Sequence, residues 1–77
     1  MDNIKYLVIE IQQNADGTVG NIITTKDTQN EAESVFYQIL ASAAISKLPI
    51  HSAVIIMSNG NVLKSIGYDR RSNTTEE

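Results

Sequence analysis

The residues best suited to binding chemistry gather towards the end of the chain. Tyr68, Arg70 and Arg71 are close neighbours, and Lys64 and the single histidine, His51, precede them. A guanidinium group can donate two parallel hydrogen bonds to the oxygens of a phosphate, and a tyrosine ring can stack on a base. These five residues therefore form a candidate ligand-binding set. The alternative is structural: His51 closes a turn through a hydrogen bond, and the arginines belong to a solvated tail.

The sequence contains no recognisable combination of catalytic residues. His51 has no positioned nucleophile or orienting acid beside it. Glu10 lies within an apolar strand, where a buried carboxylate would need a partner or a raised pKa, and we expect a solvent-facing position for it instead. The glycine spacing matches no phosphate loop, and no serine elbow or calcium loop occurs. The sequence therefore predicts a non-enzymatic protein without a cofactor.

Composition narrows the class of protein further. The chain has 77 residues, which predicts one domain, and it has no cysteine and one histidine, which excludes disulfides and multi-histidine metal sites within one chain. Six Lys plus Arg against nine Asp plus Glu give a net charge of −3, which argues against duplex nucleic acid as a partner. There is neither a signal-peptide pattern nor an apolar run of membrane-spanning length, so we expect a cytoplasmic protein, in a host cell or inside whatever infects it.

The elements that must position these residues follow a ββαββ order. Strands are predicted over 4–13, 18–25, 51–58 and 61–68, and a helix over 28–47. This pattern predicts an α+β fold, a four-stranded and mostly antiparallel sheet with one helix across one face. We expect residues 1–68 to form the single domain and 69–77 a polar, flexible tail.

Local signals define the turns and the helix ends. Asn14–Gly17 is a hairpin loop, either of four residues or of three with a bulge, and Asn59-Gly60 favours a two-residue type I′ turn. Thr28 with Glu31 is a capping-box pattern, with Asp27 as a competing cap. Lys47 in the last predicted turn suits the helix dipole, and a proline follows shortly after.

The strands carry apolar side chains on both of their faces. One helix covers only one face of a four-stranded sheet, so the other would expose Tyr6, Val8, Val54, Ile56 and Leu63, or their counterparts. An exposed apolar patch of this kind marks an interface, which predicts a homodimer or a higher oligomer. The alternative is a sheet with scattered surface apolar residues, which needs no partner.

The chain resembles an uncharacterised family of very short ββαββ proteins from gut Gram-positive bacteria and their phages. The resemblance covers about residues 5–66 and rests on the Asn14-Ala-Asp-Gly-Thr turn and on the stretch that contains Ser46, Pro49, His51 and Ser52. It supplies no catalytic residues. A phage origin implies a host-defence inhibitor that sequesters a small cyclic nucleotide or ADP-ribose-type signal between subunits; the alternative is an accessory virion or assembly protein.

Overall fold

The predicted ββαββ fold is confirmed. A computed structural model describes residues 3–71. Its elements are β1 (Tyr6–Gln13), β2 (Val19–Lys26), α1 (Gln29–Ala44), β3 (Ile50–Met57) and β4 (Val62–Asp69). The strands form one sheet in the order β2-β1-β3-β4, and every neighbouring pair is antiparallel. Helix α1 packs across one face of this sheet, mainly over β3 and β1.

The sheet order places β1 between β2 and β3. Both of these strands pair antiparallel with β1, so they run in the same direction without touching. Helix α1 therefore connects two parallel strands of one sheet with β1 between them, a type of crossover that is right-handed in nearly all proteins.

Both hairpins use a three-residue loop that ends in a left-handed glycine. In the first, Asn14 N donates to Thr18 O at 2.9 Å and Gly17, at φ 92°, donates to Asn14 O at 2.9 Å. This selects the three-residue loop with a bulge from the two alternatives. In the second, Met57 N donates to the carbonyl of residue 61 and Gly60 N to Met57 O, each at 2.8 Å, with Gly60 at φ 96°.

The predicted two-residue turn at Asn59-Gly60 is therefore wrong, because Ser58 belongs to the loop and not to the strand. Ser58 N donates to Lys5 O at 2.9 Å, and Lys5 N donates to Ser58 Oγ at 3.0 Å. These two bonds fix Ser58 to the residue before β1. The loop consequently begins one residue earlier than the Asn-Gly signal indicates.

A second irregularity lies in β4. Ile55 pairs with Lys64 and Ile56 pairs with Val62, so Leu63 is an extra residue in a β-bulge. The bulge places Val62 on the same side of the sheet as Ile56, whereas Leu63 packs against the core.

The core lies between α1 and the central strands. Phe36, Ile55 and Val8 are its largest fully buried side chains. Ala32, Leu40, Ala43 and Ala53 complete it. Helix α1 begins as predicted, with Thr28 Oγ1 accepting from Glu31 N at 3.2 Å. It ends at Ala44, three residues before the predicted end.

Strand register decides which side chains face away from the helix. Residues directly opposite each other share a face, and Val8 pairs with Ile55 beneath the helix. We call the side without the helix the open face. Its aliphatic side chains are Leu7, Ile9, Ile11, Val19, Ile23, Ile50, Val54, Ile56 and Val62.

The predicted membership of the uncovered face is wrong for three of its five residues. Val54 and Ile56 lie on the open face, but Val8 is fully buried under the helix. Tyr6 and Leu63 pack against the same core as Val8. In the structure Val8 shares a face with Ile55, whereas the predicted uncovered face groups Val8 with Val54 and Ile56.

The start of the predicted tail is also displaced. Asp69 is the last residue of β4, and both Arg70 and Arg71 make hydrogen bonds. The rest of the predicted tail, 72–77, lies outside the described residues.

The loop geometry predicts unequal effects of alanine at two glycines. A Cβ at Gly60 or at Gly20 meets no atom within 4 Å, so only the backbone conformation of the two sites differs. We expect Gly60→Ala to lower the free energy of unfolding by about 1–2 kcal/mol, because an L-residue is strained in the left-handed region. Gly20→Ala, within β2, is the matched control and should cause no loss. Urea unfolding measures both, and equal effects would contradict the loop assignment.

Candidate functional site

The single histidine lies on the helix side of the sheet and hydrogen-bonds a carboxylate. His51 is the second residue of β3, and Gln12 of β1 stands directly opposite it. Its Nε2 lies 2.7 Å from Glu10 Oε2, and Gln12 Nε2 donates to the same oxygen at 2.8 Å. The side chains of His51 and Glu10 are only 5% and 16% exposed, so this polar cluster is largely shielded from water.

The hydrogen bonds keep Glu10 ionised. Burial of the carboxyl raises its pKa, but the hydrogen bonds from His51 and Gln12 outweigh burial and leave the pKa of Glu10 below its usual value. A carboxylate only accepts hydrogen bonds, so the Nε2 of His51 donates in this pair. Its Nδ1 is buried and has no hydrogen-bond partner among the described residues.

A carboxylate that hydrogen-bonds a histidine also occurs in general-base catalysis, where the other ring nitrogen accepts a proton. The carboxylate orients the imidazole, but the nitrogen that would face a substrate is enclosed in the protein. The chemistry that the geometry supports is therefore a structural hydrogen bond, as the alternative for His51 anticipated. Its partner is Glu10 and not the turn before β3.

The predicted solvent-facing position of Glu10 is wrong. Its carboxylate is partly buried because β1 occupies the centre of the sheet and the β1–β3 register brings Glu10 to His51, 41 residues further along the chain. Gln12, the third member of the cluster, is not among the predicted site residues. The available signal was the alternation of Glu10 and Gln12, two polar residues on one side of an otherwise apolar strand.

Arg70 closes the C-terminal end of the helix. Its guanidinium donates to Ala43 O at 2.6 Å, to Ala44 O at 3.3 Å and to Leu48 O at 3.3 Å. Its carbon Cζ lies 5.3 Å from the centre of the Tyr68 ring. The cation that the helix dipole favours thus comes from the end of β4, and α1 has no basic residue in its last turn.

Arg71 and Lys64 face carboxylates of their own. Arg71 donates through Nε and a terminal nitrogen to the two oxygens of Asp69, at 3.0 and 2.9 Å. These bonds lower the pKa of Asp69 to about 2. Lys64 Nζ lies 3.9 Å from a carboxylate oxygen of Glu33 on the helix.

The structure brings together three of the five predicted ligand-binding residues. His51, Tyr68 and Arg70 lie at one end of the sheet, where Tyr68 stands opposite His51. Lys64 is four residues back along β4, about 13 Å away at the usual rise of a strand. Arg71 lies beside the three, but its guanidinium is held by Asp69. The five therefore do not converge on a common ligand position.

Other sites for a ligand are equally sparse. Among residues 3–71, no group of three or more histidine, cysteine or acidic side chains could hold a metal ion. A groove at the opposite end of the sheet is lined by residues 3–6 and 27–29, and an ion pair of 2.6 Å between Lys5 and Asp27 lies within it. Within the same described range, no helix is long and apolar enough to span a membrane.

Comparison with known proteins gives no further assignment. The chain matches no family model, no curated protein and no solved structure.

The open face is a broad surface that no other element among residues 3–71 covers. Val19, Ile23 and Val62 are 58%, 56% and 59% exposed on it. Across the four described strands, Asp69 at one corner is the only charged residue that this face carries. A sheet face with nine aliphatic side chains and a charge only at its corner is suited to packing against another apolar surface.

The Glu10 carboxylate predicts a pH dependence of stability. Its pKa is lower in the folded protein than the ordinary 4.5, so protonation favours the unfolded chain. The stabilisation is present above about pH 4.5 and is lost as the pH falls through the lowered value. We expect the stability difference between wild type and Glu10→Gln to shrink below pH 4.5 in urea unfolding. Glu31→Gln, on the exposed helix surface, is the control for the loss of one charge, and identical pH profiles of the two variants would contradict this role.

The contacts of Arg70 and Arg71 predict opposite outcomes for two neighbouring substitutions. Arg70→Ala should destabilise the fold by about 1.5–3 kcal/mol, because it removes charged hydrogen bonds to helix carbonyls. Arg71→Ala should leave the thermal midpoint nearly unchanged, since exposed ion pairs contribute little. Thermal unfolding followed by circular dichroism measures both, and a larger effect of Arg71→Ala would refute the capping role of Arg70.

Proposed function

We propose that the protein is a non-enzymatic, self-associating assembly module, in which two copies pack their open faces against each other. The observation that carries the proposal is the open face itself, on which nine of the sixteen strand residues are aliphatic and Asp69 alone is charged. Each copy would cover the open face of the other, which the single helix of that copy does not reach.

The dimensions of the face reach the lower limit for a specific interface. Four strands of eight residues span roughly 19 by 26 Å, or about 500 Å² per copy. Two such faces in contact bury about 1,000 Å², the area at which specific interfaces begin, and the relief of the side chains adds to the planar area. Burial is favourable by roughly 25 cal/mol per Å² of apolar surface, before the cost of association is subtracted.

The open face has both bulky and small residues, and this uneven shape favours a second copy of the chain as the partner that covers it. Ile9 lies between Ile23 and Val54 in a bulky row across three strands. Beside this row, Gly67 stands opposite Ser52, and a Cβ at Gly67 would come within 3.0 Å of the Cβ of Ser52. A surface that carries both a raised row and a low region can be complementary to a second copy of itself, and two packed sheets readily cross at about 30°.

Assembly is better supported by these contacts than sequestration of a nucleotide. A nucleotide site between subunits needs cationic groups whose donors point into the interface. Arg70 donates to carbonyls at the end of the helix, and Arg71 is engaged with Asp69. The role that fits the open face is therefore that of an accessory assembly protein, one of the two roles that the family resemblance implies.

A charge in the centre of the open face should separate the copies. We expect Val54→Lys to halve the mass of the assembly in light scattering after size exclusion, because the dimer would bury an unpaired ammonium group. Tyr37→Lys, at a half-exposed position on the helix, is the matched control and should keep the mass of the wild type.

Two results would contradict the proposal. One is a wild-type monomer at about 100-micromolar protein, a concentration at which a dimer with a micromolar dissociation constant would be almost fully formed. The other is an unchanged mass for Val54→Lys. Stabilisation by a cyclic nucleotide or an ADP-ribose derivative, abolished by Arg70→Ala together with Arg71→Ala, would favour sequestration instead.

A further inference from the structure

The outer edge of β2 is a second surface without a partner. All eight residues of β2 pair with β1 in one uninterrupted register, and the strand contains neither a bulge nor a proline. The opposite edge of the sheet, β4, carries the bulge at Leu63 and the lysine at position 64. Bulges and charged residues protect natural sheet edges from pairing, so β4 is protected and the middle of β2 is not.

The hydrogen bonds of the first hairpin define which groups of β2 point outward. The bond from Asn14 N to Thr18 O directs Thr18 towards β1. Antiparallel pairs alternate between hydrogen-bonded and non-hydrogen-bonded, so the even-numbered residues of β2 also bond to β1. The backbone N–H and C=O groups of Val19, Asn21, Ile23 and Thr25 consequently point away from the sheet.

Ile22 provides an independent indication of what pairs with this edge. It stands opposite Glu10 on the helix side, yet it is 59% exposed because α1 lies over β1 and β3. Packing of the open faces leaves it untouched, since it lies on the other side of the sheet. A further strand beside β2 is the element that would cover it.

The two ends of β2 carry opposite charges, which would attract each other if two copies of the strand paired antiparallel. Lys26 ends the strand. At its start, Thr18 N and Thr18 Oγ1 both donate to Asp16 Oδ1, at 3.0 and 2.8 Å, and hold that carboxylate beside Thr18. When two β2 strands pair around Ile22, Lys26 of each copy stands opposite Thr18 of the other. Each lysine then lies beside the partner's Asp16, twice by symmetry.

We propose that β2 pairs antiparallel with β2 of a second copy around a two-fold axis at Ile22, which joins two sheets into one of eight strands. Ile22 packs on the partner's Ile22, and Asn21 exchanges backbone hydrogen bonds with the partner's Ile23. This contact uses an edge and not the open face, so it does not depend on the proposed function. Where both contacts form, two eight-stranded sheets pack into a tetramer.

Cysteine cross-linking tests the register directly, because the chain contains no cysteine. In the proposed pairing, the two copies of Ile22 are a directly opposite pair with Cα atoms about 4.5 Å apart, within the range of a disulfide. Ile22→Cys should therefore form a covalent dimer on mild oxidation. Thr24→Cys is the matched control on the same side of β2: its two copies are offset by four residues, about 13 Å, and should not cross-link.

Equal cross-linking of the two variants, or none by Ile22→Cys, would overturn the proposed register. Ile22→Cys combined with Val54→Lys separates the two interfaces. The cross-link should persist there even if the open-face dimer is lost or never forms, and its disappearance would refute the independence of the edge contact.

Removal of one outward donor tests the hydrogen bonding itself. Asn21→Pro deletes an N–H that points away from β1, a position at which an edge strand accepts proline. Because the side chain of Asn21 lies on the open face, the test is made in the Val54→Lys background, where the edge contact is the one that remains. There Asn21→Pro should halve the mass, whereas Asn21→Thr, which keeps the donor, should not. An unchanged mass for a folded Asn21→Pro would contradict pairing through this edge.

Discussion

The limited width of one helix is the constraint on which the rest of this structure depends. A helix with its side chains is about 10–12 Å across, whereas four strands span roughly 19 Å. Helix α1 therefore covers β1 and β3, and fully buries Phe36, Val8 and Ile55. The far side of the sheet and the outer side chains of β2 and β4 remain without cover. Ile22, Ile66 and Val62 are accordingly 59%, 45% and 59% exposed.

The local features of the fold could be predicted from the sequence, because the signals for them lie within a few residues. The strands, the helix and its Thr28 cap follow from alternation, periodicity and a single capping residue. The errors arise where distant residues decide. Lys5 holds Ser58 in the second loop and so displaces the Asn59-Gly60 turn. At the other end of the helix, the interacting cation comes from Arg70, 26 residues beyond Ala44.

The candidate site could be predicted only as a list of residue types. Whether Val8 shares a face with Val54 or with Ile55 depends on the β1–β3 register, which no local pattern specifies. The same register brings Glu10 to His51. Composition likewise does not reveal whether a cation has free donors: Arg70 bonds to carbonyls, Arg71 to Asp69 and Lys5 to Asp27.

Several charged side chains are engaged within the chain, which leaves apolar and backbone surfaces as the ones proposed for interaction. A chain of this size buries only about 60% of the surface that its unfolded form exposes, so its core alone leaves a narrow margin of stability. Partner copies that bind the folded state and not the unfolded chain stabilise the fold by mass action. Self-association would therefore complete the hydrophobic core of this domain as well as supply its function. A substitution such as Val54→Lys would then act on both, which is why the mass of the assembly and the stability of the fold have to be measured on the same variants.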